Sequence, residues 1–412
     1  MTDPMASSSP PSPVAGVSDP LLAWRAEFPI LERSTYLVSN SLGAMPRLVP
    51  ERLAAYADVW AQRGVRAWAE AWWDMPLHVG DGIAPLLNAP PGSVAMTPNV
   101  TIAHAGILSS LSYAAPRDTI VMTALDFPSV RYVYEGLATR LGARIRVVES
   151  ADGIGIDEDA LCAAIDERTR LVCISDVLFR SAYVLDVARI ARHAHAMGAL
   201  IAVDAYHSVG VLPVDVQATG VDWLTGGVLK WLCGGPGGSF VYASPSLPES
   251  LRPAFTGWQA HVAPFAFADT MEHATGAARW LTGTPPVPAL YAATEGPRIL
   301  QAAGMAAVRA KSMRQTARLV ALADARGWTV NAPRAPERRG GTVALDVPHG
   351  LAVARALLAR DIVIDYRPGA GIRVAPHFYT ADAELETVVL AIDEILATGA
   401  WRAFEDVRGT VT

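Results

Sequence analysis

Cysteine is scarce: 3 residues in 412, at positions 162, 173 and 233, with none in a CxxC spacing. An odd, scattered set argues against a disulfide framework or a Cys-rich zinc site and gives a reducing, cytoplasmic location as the expectation. Charge is sparse too. Asp and Glu outnumber Lys and Arg by 40 to 34, and no basic run or basic–aromatic stripe occurs. That excludes the electrostatic footprint of a nucleic-acid binder. No apolar run reaches the roughly 18 residues that a membrane-spanning helix needs, so no membrane association is expected. The first 20 residues, MTDPMASSSPPSPVAGVSDP, lack the basic and apolar regions of a secretion signal and read as a disordered Ser/Pro tail. What the chain does have is apolar material, 51 % of its residues, which is ample for a buried core.

From about residue 21 the sequence reads as globular. Apolar, β-rich runs at 119–125, 144–148, 171–175, 200–204, 223–225 and 239–243 alternate with helical patterns such as 158–167 and 184–197. Apolar residues at 161, 164 and 165, and at 184, 187, 190, 194 and 197, give each helix one apolar face. This alternation predicts an α/β fold whose mainly parallel sheet is covered on both faces. Pro285-Pro286-Val287-Pro288 punctuates the chain, and a long helical pattern from about 292 to 325 follows. Strand 342–347, helix 351–360, strands near 363–366 and 372–376, and helix 381–397 predict a smaller α/β unit. The expected organisation is a tail (1–20), an N-terminal segment packing with the small domain (21–50), a large domain (51–290) and a small C-terminal domain (291–412).

Four features of the large domain point to chemistry. Lys230 stands in GGVLKWLCGGPGG, an unusually apolar setting for a lysine. Burial lowers the pKa of an amine and makes it nucleophilic near neutrality. Asp204 ends the strand ALIAVD, and ligands of open parallel sheets bind beyond the carboxyl ends of the strands. Capping the following turn is its alternative role. The run Thr97-Pro98-Asn99-Val100-Thr101 leads into the helical pattern IAHAGILSSL. A helix start of this kind can hold an anion, although capping alone also explains such residues. Phe127 follows the strand at 119–125 and can either fill the core or cover a flat ring. A lysine amine, a carboxylate, an anion cradle and an aromatic plate are together what a pyridoxal 5′-phosphate (PLP) site requires.

The residues also resemble a known family. YLVSNSLG at 36–43, DFPS at 126–129, VDAYHSVG at 203–210, LKWLCGGPGG at 229–238, FTGWQAH at 255–261, TPP at 284–286 and GIRVAP at 371–376 span almost the whole chain after the tail. Their order is similar to that of the kynureninase-like branch of the class V aminotransferases, which are fold type I PLP enzymes. The resemblance implies a seven-stranded, mainly parallel large-domain sheet, an α-amino-acid substrate, and a homodimer with its active site at the interface. It implies that Lys230 carries the cofactor as a Schiff base, that Asp204 meets the pyridine nitrogen with His207 nearby, and that Phe127 stacks on the ring. Asn99 and Val100 are implied as phosphate contacts, largely through backbone, and Ser129 and Ser175 as neighbours of the cofactor. Trp258 and Thr284 are implied to reach the phosphate across the dimer interface. Arg373 is implied to clamp the substrate α-carboxylate, with Ser41 also on the substrate side.

Three departures from that family stand out. Leu229 occupies the place of a tyrosine whose hydroxyl binds phosphate and is implicated in proton transfer. Val130 stands where the FPSD motif ends in aspartate. The segment RGVRAWAEAWW lacks the histidine that meets the substrate ring, and Arg66 is the candidate substitute.

The function implied is PLP-dependent cleavage at the side-chain Cβ bond of an α-amino acid. It is either hydrolytic Cβ–Cγ cleavage, as in kynureninase, or a Cβ–S lyase variant, which Leu229 and Val130 favour. A class V aminotransferase or a decarboxylating enzyme of secondary metabolism is the alternative, and a non-catalytic PLP-binding protein is the non-enzyme one. A cysteine desulfurase needs a nucleophilic Cys in its C-terminal half, and none follows Cys233. His193 and His195, two apart on a predicted helix, share no face, so no metal site is expected. Trp68, Trp72 and Trp73 read as core or interface packing before a substrate wall.

Overall fold

The computed structural model describes residues 19–405. Its main sheet comprises β2 (Val94–Thr97), β3 (Thr119–Thr123), β4 (Arg144–Val148), β5 (Thr169–Ser175), β6 (Leu200–Asp204), β7 (Trp223–Gly227) and β8 (Ser239–Ala243). The spatial order is β2-β8-β7-β6-β5-β3-β4. Within it β8 alone runs against its neighbours. Successive residues of one strand enter two different cores: Val121, Val172, Val203 and Leu224 face one, while Ile120, Leu171, Ala202 and Trp223 face the other. Helices therefore cover both faces, and the strands read as unbroken apolar runs because neither side meets water.

The smaller sheet has the order β12-β13-β10-β9, made of β9 (Thr329–Val330), β10 (Val343–Asp346), β12 (Asp365–Arg367) and β13 (Gly371–Val374), all antiparallel. The helices Met305–Asp324, Gly350–Leu358 and Asp382–Thr398 complete its core through residues such as Leu319, Val353 and Val389. A two-stranded parallel pair, β1 (Thr35–Tyr36) with β11 (Ile362–Val363), ties the start of the described chain to this half. Phe28 packs edge-on against Phe378, with ring centroids 5.8 Å apart, and Arg25 reaches Glu384 at 2.7 Å.

Some expected boundaries need correction. The helical pattern at 292–325 is two helices, Glu295–Ala303 and Met305–Asp324, preceded by a short one at Val287–Ala292. Pro297 has no N–H to continue an earlier helix, and Gly304 separates the last two. The helix expected over 184–197 begins at Val187, because Val184 is taken by a bridge to Val177. The one expected over 158–167 stops at Ala163. Strand β2 escaped the sequence reading, since four buried residues carry no alternation. No helix among the described residues is long and apolar enough to cross a membrane.

Candidate active site

The site forms where the carboxyl ends of the parallel strands meet. Ser175, Asp204 and Thr225 are adjacent in register across β5, β6 and β7, so their side chains share one face at the carboxyl end of the sheet. Lys230 follows β7 by three residues, in a turn held by the NSLG segment: the Gly43 N–H donates to the Leu229 carbonyl at 2.8 Å. A Cβ at Gly43 would lie 2.1 Å from the Lys230 carbonyl oxygen, so glycine is required for that approach.

The Lys230 amine lies 2.6 Å from His207 Nε2, 5.4 Å from the centroid of the Phe127 ring and 4.7 Å from that of Tyr206. Burial, and next the Arg373 guanidinium, bring the amine down to about 7 from the usual lysine value, while Asp204 pulls the other way. Asp204 is itself buried and pushed up to about 6, chiefly by desolvation, although a backbone N–H from Tyr206 and the nearby Lys230 favour its charge. The Tyr206 N–H donates to Asp204 Oδ1 at 3.0 Å, so the capping role and the buried carboxylate coexist. His207 is held neutral, first by burial and then by the positive charges of Lys230 and Arg373. A neutral ring nitrogen can accept a hydrogen bond from the amine and fix its direction.

The surrounding residues fall in and out of this cluster. Ser175 donates through Oγ (2.9 Å) and N–H (2.7 Å) to Asp126 Oδ1, and the Thr123 N–H donates to Asp126 Oδ2. Burial raises the Asp126 carboxyl against those hydrogen bonds. Asp126 therefore supports Ser175, a link that the DFPS motif contained but did not announce. Asn99 caps the helix Val100–Ser109, its side chain accepting the Ile102 N–H at 3.0 Å. Its side chain is thus engaged within the helix start, and only the first backbone N–H groups are oriented to meet an anion. Ser129 is half-buried in the first turn of the helix Pro128–Ala138, and Ser41 is half-buried in the NSLG turn.

Arg373 is not an open clamp. It sits on β13 directly opposite Asp365 on β12, donates through Nε at 2.8 Å and through Nη2 to that carboxylate, and through Nη1 to the Phe179 carbonyl at 2.6 Å. Two of its five N–H groups remain. Sequence reasoning missed Asp365, because the pairing depends on strand register.

Trp258 and Thr284 do not join the Lys230 cluster within one chain. Trp258 is 42 % exposed, donates to the Pro264 carbonyl and packs against Trp73, Phe265 and Phe267, while Thr284 is exposed. Trp72 stacks on Tyr56 and Trp68 meets Trp72 edge-on, the packing role expected of both. Arg66 is exposed. His193 and His195 have separate partners, the Ile165 carbonyl and Asp222. Val130 is fully packed in the core, and Leu229 is half-buried.

Comparison with known proteins agrees with the fold. The family model for class-V aminotransferases matches residues 36–381. A kynureninase of Burkholderia pseudomallei (strain 1106a) is 32 % identical over 402 residues, which is 94 % of this chain and 95 % of the relative. A kynureninase of Pseudomonas fluorescens is 33 % identical over 410 residues, covering 96 % and 97 %. Among solved structures, the apo cysteine desulfurase of Thermococcus onnurineus NA1 superposes with a TM-score of 0.79 at 20 % identity, covering 93 % of this chain and all of that one. The cystine C–S lyase C-DES, in complex with its product cysteine persulfide, gives 0.79 at 21 % identity, covering 89 % and 98 %. At that identity the likeness shows the fold, which is fold type I. The chain belongs to the class-V aminotransferase family of PLP-dependent enzymes.

Proposed function

We propose that the chain cleaves an α-amino acid at its side-chain Cβ bond, by hydrolysis between Cβ and Cγ in the manner of the kynureninases it resembles. The observation that carries this reading is the convergence of the Lys230 amine, the buried Asp204 carboxylate and the Phe127 ring at one strand edge, within the field of Arg373. These residues fit PLP. Amine and carboxylate are close enough to perturb one another, yet the amine hydrogen-bonds His207 and not Asp204.

Bound PLP supplies an electron sink for bonds at the substrate Cα. The protein supplies the rest. Lys230 anchors the cofactor through Nζ, and its amine, about half neutral at pH 7, moves the proton at the substrate Cα. Asp204 holds a proton on the pyridine nitrogen through a charge-assisted hydrogen bond. His207 aims the amine, and Phe127 covers one ring face. The backbone at Asn99 and Val100 receives the phosphate at the helix N-terminus, with Ser129 and Ser175 lining the cofactor. The remaining N–H groups of Arg373 hold the substrate α-carboxylate, with Ser41 beside it. Trp258 and Thr284 serve the phosphate of a second subunit in a homodimer. The exposed apolar side chains of Trp258, Phe265, Phe267 and Met271 support burial of that surface by another copy.

A second reading, a Cβ–S lyase, is favoured by Leu229 and Val130. Neither side chain transfers a proton, and elimination of a good leaving group needs less acid–base help than hydrolysis of a carbon–carbon bond. Incubation of holoenzyme with kynurenine, 3-hydroxykynurenine and S-conjugates of cysteine separates the two. Release of anthranilate supports hydrolysis, whereas pyruvate with free thiol supports the lyase. An oxo acid formed with pyridoxamine phosphate overturns both. The Lys230→Ala variant is expected to lose the borohydride-sensitive visible absorbance, and its retention would refute the assignment of this lysine.

A further inference from the structure

Tyr206 borders the amine of Lys230, yet no motif singled it out. Its ring centroid lies 4.7 Å from Lys230 Nζ, and the Phe127 centroid lies 5.4 Å from the same atom. Phe127 meets Phe179 edge-on at 5.2 Å, but among the described residues Phe127 and Tyr206 make no ring contact with each other. Two aromatic rings thus lie near one amine, each with its face towards it. The Asp204 carboxylate lies alongside, accepting the Tyr206 backbone N–H.

Tyr206 occupies this place because residue 227 is glycine. A Cβ on Gly227 would lie 2.0 Å from both Cζ and Oη of the Tyr206 ring. Gly227 is the last residue of β7 and pairs with Ser239, so it is an ordinary strand residue whose lack of a side chain makes room.

We infer that Tyr206 is a second aromatic wall of the PLP site, facing Phe127 across the pyridine ring, and that Gly227 is the notch that seats it. This rests on the PLP reading above. A ring slotted between two aromatic plates gains offset stacking on both faces, and loss of one plate corresponds to roughly a three- to tenfold loss of affinity.

The test is titration of apo-protein with PLP, followed by the Lys230-dependent visible band. Tyr206→Phe, which keeps the ring, is expected to bind within about twofold of wild type. Tyr206→Leu is expected to bind roughly three- to tenfold more weakly. Gly227→Ala is expected to weaken binding as well, because the added methyl drives the tyrosine out of its seat. In the Tyr206→Leu background the same Gly227→Ala change is expected to have no further effect, and this double variant stays informative if Gly227→Ala alone folds poorly. Melting curves of the apo variants report folding independently. Wild-type affinity in Tyr206→Leu overturns the wall, and so does a Tyr206→Phe variant as weak as Tyr206→Leu, which would assign the role to the hydroxyl. A wild-type protein that forms no Lys230-dependent band overturns the PLP reading itself, a different failure from a band that is present but indifferent to Tyr206.

Discussion

The site contains two pairs of opposite charge, and they are built differently. Arg373 and Asp365 are cross-strand neighbours in the small sheet, joined by two hydrogen bonds and only 2 % and 0 % exposed. Lys230 and Asp204 hang from the carboxyl ends of strands in the large sheet, and the amine turns to His207. In the first pair the geometry is fixed by sheet register and the charges satisfy each other. In the second each group is pushed towards its neutral form, the amine downward and the carboxyl upward, because burial outweighs their attraction. A closed pair can position something. An open pair leaves an amine ready to react.

Breaking the closed pair should have the largest effect on the fold. Asp365→Ala leaves a guanidinium buried without its carboxylate, which costs about 3–5 kcal/mol. The expected readout is a fall in melting temperature of about 4–6 °C. An unchanged melting temperature would show that Asp365 does not carry the Arg373 charge. Breaking the open pair should instead affect chemistry. Asp204→Asn keeps the shape but cannot hold a proton on the pyridine nitrogen, so kcat is expected to fall on the order of a thousandfold. The visible band and the melting temperature should change little. If kcat survives, another group performs that task.

The same contrast explains what could be read in the sequence. Residues that act from the ends of parallel strands stand next to long apolar runs, so Asp204, Phe127 and Lys230 were visible in VDAYHSVG, DFPS and LKWLCGGPGG. A partner set by antiparallel register is far harder to find. Asp365 lies eight positions from Arg373, and only the pairing of β12 with β13 makes them neighbours. Tyr206 was missed although it lies inside a quoted motif, because its place depends on the empty volume over Gly227 on another strand. Asn99 was legible as a helix start, but capping and anion binding use the same residue types there. Trp258 and Thr284 were legible from resemblance alone, since no feature of a single chain connects them to Lys230.

The smallest effect is also the sharpest test of how the two pairs communicate. Capture of PLP by apo-protein requires a neutral Lys230 amine, so the rate of visible-band formation should rise with pH through the pKa of that amine. For the wild type the half-rise belongs well below the ordinary lysine range, near about 7. Asp204 raises the amine and Arg373 lowers it. Asp204→Asn should therefore move the half-rise to lower pH, because a stabilising negative charge is gone. Arg373→Met should move it to higher pH, because a repelling positive charge is gone while the Asp365 carboxylate, still paired with Arg367, goes on raising the amine. His207, neutral across this range, adds no step of its own. Displacements of opposite sign would show that the closed pair sets the reactivity of the open one through the field of Arg373. Displacements of the same sign would mean that altered burial of the amine outweighs that field.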